Sequence, residues 1–199
     1  MEKQYRINEI FYSLQGEGRH TGRAAVFIRF SGCNLNCPFC DTDYSSHSLM
    51  TATDILNEVR QWKNCAFVVL TGGEPSLQVD EQLVDKLHQE GFFVAMETNG
   101  TRAVAKNIDW VTISPKNCFF DKKVRLVADK VDEMKVVFDG IHDPKLYSHI
   151  GGNPYLCLQP CDTGDEVRNR QVVLQCVDYI QKHPQWHLSL QTQKYLQIR

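Results

Sequence analysis

Phe67-Val68-Val69-Leu70-Thr71-Gly72-Gly73-Glu74-Pro75 is a four-residue apolar run that ends abruptly in a glycine-rich turn. Such a run is too short for a buried helix, so it reads as a strand buried on both faces that stops where the glycines begin. Runs of the same kind recur at Ala25 to Phe30, Phe92 to Met96, Trp110 to Ile113, Met134 to Phe138, Tyr155 to Leu158 and Trp186 to Leu190. The opening segment, Tyr5 to Ser13, reads as an added outer strand.

Helical patterns separate several of these runs. Ala52, Ile55, Leu56, Val59 and Trp62 follow one face behind a cap at Thr51, with Asp54 three residues later. Val167, Val173, Cys176, Val177 and Ile180 outline another. Strands alternating with helices predict an α/β fold of parallel strands joined by right-handed crossovers. About seven such strands predict an incomplete, TIM-like barrel instead of a closed barrel of eight. No repeat, low-complexity run or linker divides the chain, so residues 1–199 read as one domain.

The polar and glycine motifs follow the strands closely. Gly32-Cys33 comes after the first run, Thr71 to Pro75 after the second, and Glu97-Thr98-Asn99-Gly100 after the third. Ser114-Pro115-Lys116, Gln159-Pro160 and Gln191 follow later ones. In a barrel of parallel strands these positions share one rim, where ligands bind.

Composition narrows the partners. The chain is 42% hydrophobic and 23% charged with a net charge of -2, and no basic face stands out, so a small molecule is expected in place of nucleic acid. Met1 to Asn8 lacks the pattern of a signal peptide, and no run approaches the ~18 apolar residues of a membrane span, which predicts a cytoplasmic protein. Of the eight cysteines, three lie within eight residues, and clustered thiols in a reducing compartment point to metal. Cys65, Cys157 and Cys176 sit on apolar patterns and read as core, whereas Cys118 and Cys161 have no assigned role. The seven histidines form no ligand-spaced set and read as surface or turn residues.

Cys33-Asn34-Leu35-Asn36-Cys37-Pro38-Phe39-Cys40 spaces its thiols as C-x3-C-x2-C. Three thiolates from one loop can converge on one inorganic centre and leave one metal position open for a ligand. The alternative is a zinc site completed by a distant residue such as His47 or Cys65. The spacing, with Phe39 directly before Cys40, resembles the radical-SAM superfamily, and Thr71 to Pro75 matches the strand end that grips the methionine amino group in that superfamily. The resemblance implies a [4Fe-4S] cluster on Cys33, Cys37 and Cys40, with S-adenosylmethionine chelated at the open iron and cleaved to a 5'-deoxyadenosyl radical.

Tyr12-Ser13-Leu14-Gln15-Gly16-Glu17-Gly18, followed by Gly22, Arg29, Phe30 and Cys40-Asp41-Thr42-Asp43, is similar to the 7-carboxy-7-deazaguanine synthase family. That likeness implies a ring-contracting lyase that turns 6-carboxy-5,6,7,8-tetrahydropterin into 7-carboxy-7-deazaguanine with loss of ammonia, for queuosine and other deazapurines. It further implies Mg2+ at Thr42, although Asp41 and Asp43 suit a hard cation better by charge. Substrate would meet Leu14, Gln15, Gly16, Glu17, Arg29, Thr71 and Arg199, with Arg29 chemically apt for a carboxylate. S-adenosylmethionine would meet Phe39, Cys40 and Asp41, then Gly73 and Glu74, then Ser114, Pro115 and Lys116, and last Gln159, Pro160, Cys161 and Asp162. Glu74 suits an ammonium group by charge. An electron donor such as flavodoxin or ferredoxin and a homodimer are also implied.

Two rivals stand beside this reading: a radical-SAM activase that installs a glycyl radical on a partner protein, and a zinc-stabilised binding protein without catalysis. The three thiols carry the distinction from the second. Cys37→Ala should yield protein without the brown visible absorbance of an iron-sulfur cluster after anaerobic reconstitution, and without turnover; retention of both would refute the cluster assignment.

Overall fold

A computed structural model describes residues 2–43, 45–120, 124–147 and 152–199. The strands are β1 (Gln4–Leu14), β2 (Ala24–Phe30), β3 (Ser48–Thr51), β4 (Phe67–Gly72), β5 (Phe93–Thr98), β6 (Trp110–Ile113), β7 (Glu133–Phe138), β8 (Tyr155–Pro160) and β9 (Trp186–Leu188). They form one sheet in the order β3-β1-β2-β4-β5-β6-β7-β8-β9. From β2 to β9 every pairing is parallel, while β1 runs antiparallel to both β2 and β3. The seven expected parallel strands are therefore present in sequence order, and the opening segment is the outer strand β1.

The α-helices are α1 (Ala52–Val59), α2 (Glu81–Gln89), α3 (Glu166–Lys182) and α4 (Thr192–Leu196). In α1 the Thr51 hydroxyl accepts from the Asp54 backbone N–H at 3.2 Å and the Asp54 carboxylate accepts from the Thr51 N–H at 2.9 Å. This reciprocal cap satisfies two amides that a helix start otherwise leaves without partners. Ala52, Ile55, Leu56 and Val59 face the core. Trp62 lies beyond the helix and packs only partly buried against the core.

In α3 the buried positions are Val172 and Cys176, not the Val167 and Val173 read from the sequence; Val167 is exposed. Two adjacent valines and a sparse apolar pattern allowed either phase, and packing against β8 and β9 selects the one that hides Val172. The alternation of strand and helix is also incomplete. No α-helix occurs among the described residues between β5 and β6, β6 and β7, or β7 and β8. Helix α2, strand β3 and helix α4 are additions that the apolar runs did not signal.

Alternation along the parallel strands sends Val26, Ile28, Val68, Leu70, Val94, Met96, Val111 and Met134 into the core beneath the helices, all essentially inaccessible. The intervening positions point into the barrel. At its lower end His20, from the β1–β2 connection, is wedged among Phe67, Phe93 and Trp110 with ring centroids 5.1, 6.0 and 5.0 Å away. It is thus a floor residue and not a surface one; burial among the rings depresses its pKa. No helix among the described residues is long and apolar enough to cross a membrane. Cys65, Cys157 and Cys176 are buried, as their apolar surroundings suggested.

Leu83 of α2 is fully buried against this core. Leu83→Ala should cost about 2–5 kcal/mol through lost burial and the cavity left behind, measurable as a lowered urea midpoint with little change in slope.

Candidate active site

The site begins with two glycines. Gly72 ends β4 beside Phe30 of β2, and its backbone, at φ +134°, lies so close that an added Cβ would sit 2.2 Å from the Phe30 carbonyl oxygen. A Cβ on Gly73 would sit 2.2 Å from the Gly32 carbonyl oxygen. Only glycine permits both approaches. They are sealed by hydrogen bonds from the Gly73 N–H to Phe30 O at 3.0 Å and from the Glu74 N–H to Gly32 O at 2.9 Å. The start of the cysteine loop is thereby pinned to the end of β4.

Further ties fix the loop. Asn34 donates to the Thr101 hydroxyl at 2.8 Å and accepts from the Asn99 side chain at 3.0 Å, and the Phe39 ring packs edge-on against Phe119 at 4.6 Å. Cys33 and Cys37 are half-buried and Cys40 is exposed. Burial raises the Cys33 and Cys37 thiols above their usual pKa. All three cysteines line a single cavity of about 600 Å3. Among the described residues no three His, Cys, Asp or Glu side chains converge on one point as a single-metal ligand set. A cluster asks for a different arrangement, because each cysteine binds its own iron and the thiolates stand apart. One loop with three thiols opening into a cavity fits that demand and leaves space at the fourth corner.

Of the residues singled out in the sequence, Leu14, Gln15, Gly16, Glu17, Arg29, Phe39, Asp41, Thr42, Thr71, Gly73, Ser114, Lys116, Gln159, Pro160, Cys161, Asp162 and Arg199 line this same cavity. Glu74 and Pro115 do not. Pro115 is buried off the cavity. Glu74 has no exposed surface; its oxygens accept from the Ser76 N–H at 2.9 Å, the Thr98 hydroxyl at 2.7 Å and the Asn99 N–H at 2.8 Å. In this structure its carboxylate ties the ends of β4 and β5 together.

The floor is polar. Because β1 is antiparallel to β2, the connection between them begins at the barrel's lower end, and Gln15 to Glu17 rise from there into the interior. The Lys135 ammonium on β7, 4% exposed, donates to Glu17 at 2.6 Å and to Glu97 at 2.5 Å. Burial opposes the charge on Glu17, yet Lys135 and the amides of Gln191 and Gln193 hold its carboxyl down at about 2. Burial dominates at Glu97 and keeps its carboxyl above the usual range despite Lys135. Lys116, bonded to Ser114 O at 2.9 Å, is lowered to about 8 by burial and by the nearby Lys135 charge.

Two walls complete the cavity. On one, Glu9 bridges Arg29 at 2.9 Å and Arg199 at 2.6 Å, and both guanidinium groups lie over the Phe11 ring. On the other, Lys194 of α4 bridges Asp41 at 3.0 Å and Asp162 at 2.8 Å, tying the cysteine loop to the end of β8. Hydrogen bonds from Lys194, the Gly164 N–H and Asn169 hold the Asp162 carboxyl down at about 2. Lys135 and Lys194 were missed in the sequence. Lys135 carried a signal, a lone cation inside the otherwise apolar Met134 to Phe138 run; Lys194 carried none.

Gly73→Ala should force the cysteine loop away from β4. We expect iron content after anaerobic reconstitution to fall by at least about half, since a Cβ there would press on the Gly32 carbonyl and the Cys33 Cβ, while the circular dichroism spectrum stays that of the parent.

Residues 27–125 match the profile of the radical SAM superfamily. The 7-carboxy-7-deazaguanine synthase of Bacteroides thetaiotaomicron is 48% identical over 98% of this chain and 98% of its own. Its counterpart from Bradyrhizobium diazoefficiens is 40% identical over 98% of this chain and 99% of its own. The crystal structure of QueE from Escherichia coli superposes with a TM-score of 0.77 at 28% identity, over 94% of this chain and 93% of that one. Likeness over the full length sets aside the activase and zinc-protein readings, and the chain belongs to the 7-carboxy-7-deazaguanine synthase family of radical SAM enzymes.

Proposed function

We propose that the cavity takes S-adenosylmethionine at a [4Fe-4S] cluster on Cys33, Cys37 and Cys40, with 6-carboxy-5,6,7,8-tetrahydropterin beside it, and that the chain performs the family's lyase reaction. The product is 7-carboxy-7-deazaguanine, formed with loss of ammonia for queuosine synthesis. The single observation that carries this reading is that three thiols, a glycine strand end and a pair of arginines all open into one cavity. When bound, the cluster and S-adenosylmethionine supply a carbon radical able to take a hydrogen atom.

The chain's own part is binding, orientation and shelter. Arg29 and Arg199 both reach Glu9 on the cavity wall, and their guanidinium donors suit the pterin carboxylate. Thr42 is the favoured Mg2+ ligand. Asp41 is engaged by Lys194 and Gln191, and Asp43 by the Ser45 N–H, whereas the Thr42 hydroxyl makes no hydrogen bond among the described residues. A cation held there by one protein oxygen, the substrate carboxylate and waters suits the habits of magnesium. Gly73, Ser114, Lys116 and the Gln159 to Asp162 segment stand around the remaining space as cofactor contacts, and Leu14 to Glu17 with Thr71 as substrate contacts. The walls on two sides of the cavity limit the access of water to a bound carbon radical. A low-potential electron donor such as flavodoxin or ferredoxin, a homodimer and a cytoplasmic setting complete the proposal, with the chain acting as one domain.

Anaerobically reconstituted protein with S-adenosylmethionine, reductant, Mg2+ and the carboxypterin should form the deazapurine. A protein that cleaves S-adenosylmethionine but leaves the pterin unchanged would overturn the substrate assignment. Thr42→Ala should raise the Mg2+ concentration for half-maximal rate by about tenfold or more, given that one oxygen ligand is lost; an unchanged requirement removes Thr42 from the metal.

A further inference from the structure

A lysine in the middle of a barrel strand is an expensive choice, since an apolar side chain of similar volume fills such a place without desolvating a charge. Lys135 occupies one, paired across the sheet with Cys157. Its ammonium donates to Oε2 of Glu17 and to Oε2 of Glu97. Oε1 of Glu97 accepts from Gln15 at 3.0 Å, and Oε1 of Glu17 accepts from Gln191 at 3.0 Å and Gln193 at 3.1 Å. All six side chains border the cavity. An ionised carboxylate offers about four acceptor positions, so each glutamate keeps at least one after these donors are counted.

Two buried carboxylates at this separation from one ammonium would repel each other without it, and one would take up a proton. The titratable groups that face Lys135 besides Glu17 and Glu97 are Glu133 on its own strand, Cys157 on β8 and Lys116 beyond β6. Among the described residues none of these bonds to either glutamate, so Lys135 is the cation in direct contact with both.

We infer that Lys135 is a positioning residue for the substrate: its ammonium holds Glu17 and Glu97 side by side as paired acceptors for the N–H-rich edge of the pterin's amino-oxo ring. The inference rests on the pterin reading of the cavity. Glu17 arrives from the β1–β2 connection and Glu97 from β5, so no single element fixes their separation; the ammonium between them does. Without it, both carboxyls rise toward neutrality and lose the acceptor geometry, while the cysteine loop, which Lys135 does not touch, stays in place.

The test compares wild-type holoenzyme with Lys135→Met and Lys135→Arg. The double variant Lys135→Met/Glu97→Gln restores the original charge balance and decides the question if the single variant does not fold. Carboxyl titration followed by 13C NMR in the pterin-free protein should show Glu17 moved up by at least about one pH unit when Lys135 is lost. A raised folded-state value means binding that needs the ionised form fails sooner as pH falls, so the acid limb of pterin affinity should shift toward neutral pH. The pterin KM should rise at least about tenfold with a smaller change in kcat, as expected for a lost binding contact, and Lys135→Arg should recover most of it. Iron content and S-adenosylmethionine affinity report that the cofactor half is intact. Carboxyls that titrate alike with and without Lys135, or a kcat loss at unchanged KM, overturn the inference; a wild-type protein that binds no pterin overturns the substrate reading instead.

Discussion

The approach of the Gly72-Gly73 backbone to Phe30 and Gly32 is the constraint on which the site depends. A peptide-to-peptide distance that no side chain tolerates fixes the end of β4 against the turn that launches the cysteines. The glycines thus serve a neighbour within the chain before they serve any ligand. Glu74 continues the same task one residue later by taking three donors from two strand ends, so the motif as a whole is a clamp between β2, β4 and β5.

The seam of the incomplete barrel follows a different logic. Seven parallel strands with an antiparallel pair at one edge do not close on themselves, and the gap between β9 and the β1 side of the sheet is filled by something other than a strand. The β1–β2 connection and α4 do this jointly: Thr192 donates to the Gly16 carbonyl through both its N–H, at 3.1 Å, and its hydroxyl, at 2.8 Å. Gln191 and Gln193 then reach inward to Glu17. Residues far apart in the chain become one wall, and the polar interior is assembled where that wall meets β5 and β7.

The parallel strands were legible because apolar runs bounded by glycine and polar turns have few other uses; all seven are present with shifts of a residue or two at their ends. Helix α1 was legible through its reciprocal cap. What escaped was set by tertiary context. The phase of α3 is decided by β8 and β9 and not by its own sequence, and α2 has a short apolar face of only Leu83, Val84 and Leu87. At the site, residues carried by local motifs around Cys33 to Thr42 and Leu14 to Glu17 were readable. Glu74 was read as a ligand contact from its charge and from the likeness of Thr71 to Pro75 to a cofactor-gripping strand end, and its burial among donors from Ser76, Thr98 and Asn99 had no signal in the sequence. His20 misled in the opposite direction, since a polar ring in a turn looks exposed until three aromatic rings from separate strands surround it.

The aromatic plug around His20 makes the barrel a blind-ended vessel. A molecule that reaches the Lys135 group therefore comes from the rim side, past the cysteine loop, and not up through the packed rings of the floor.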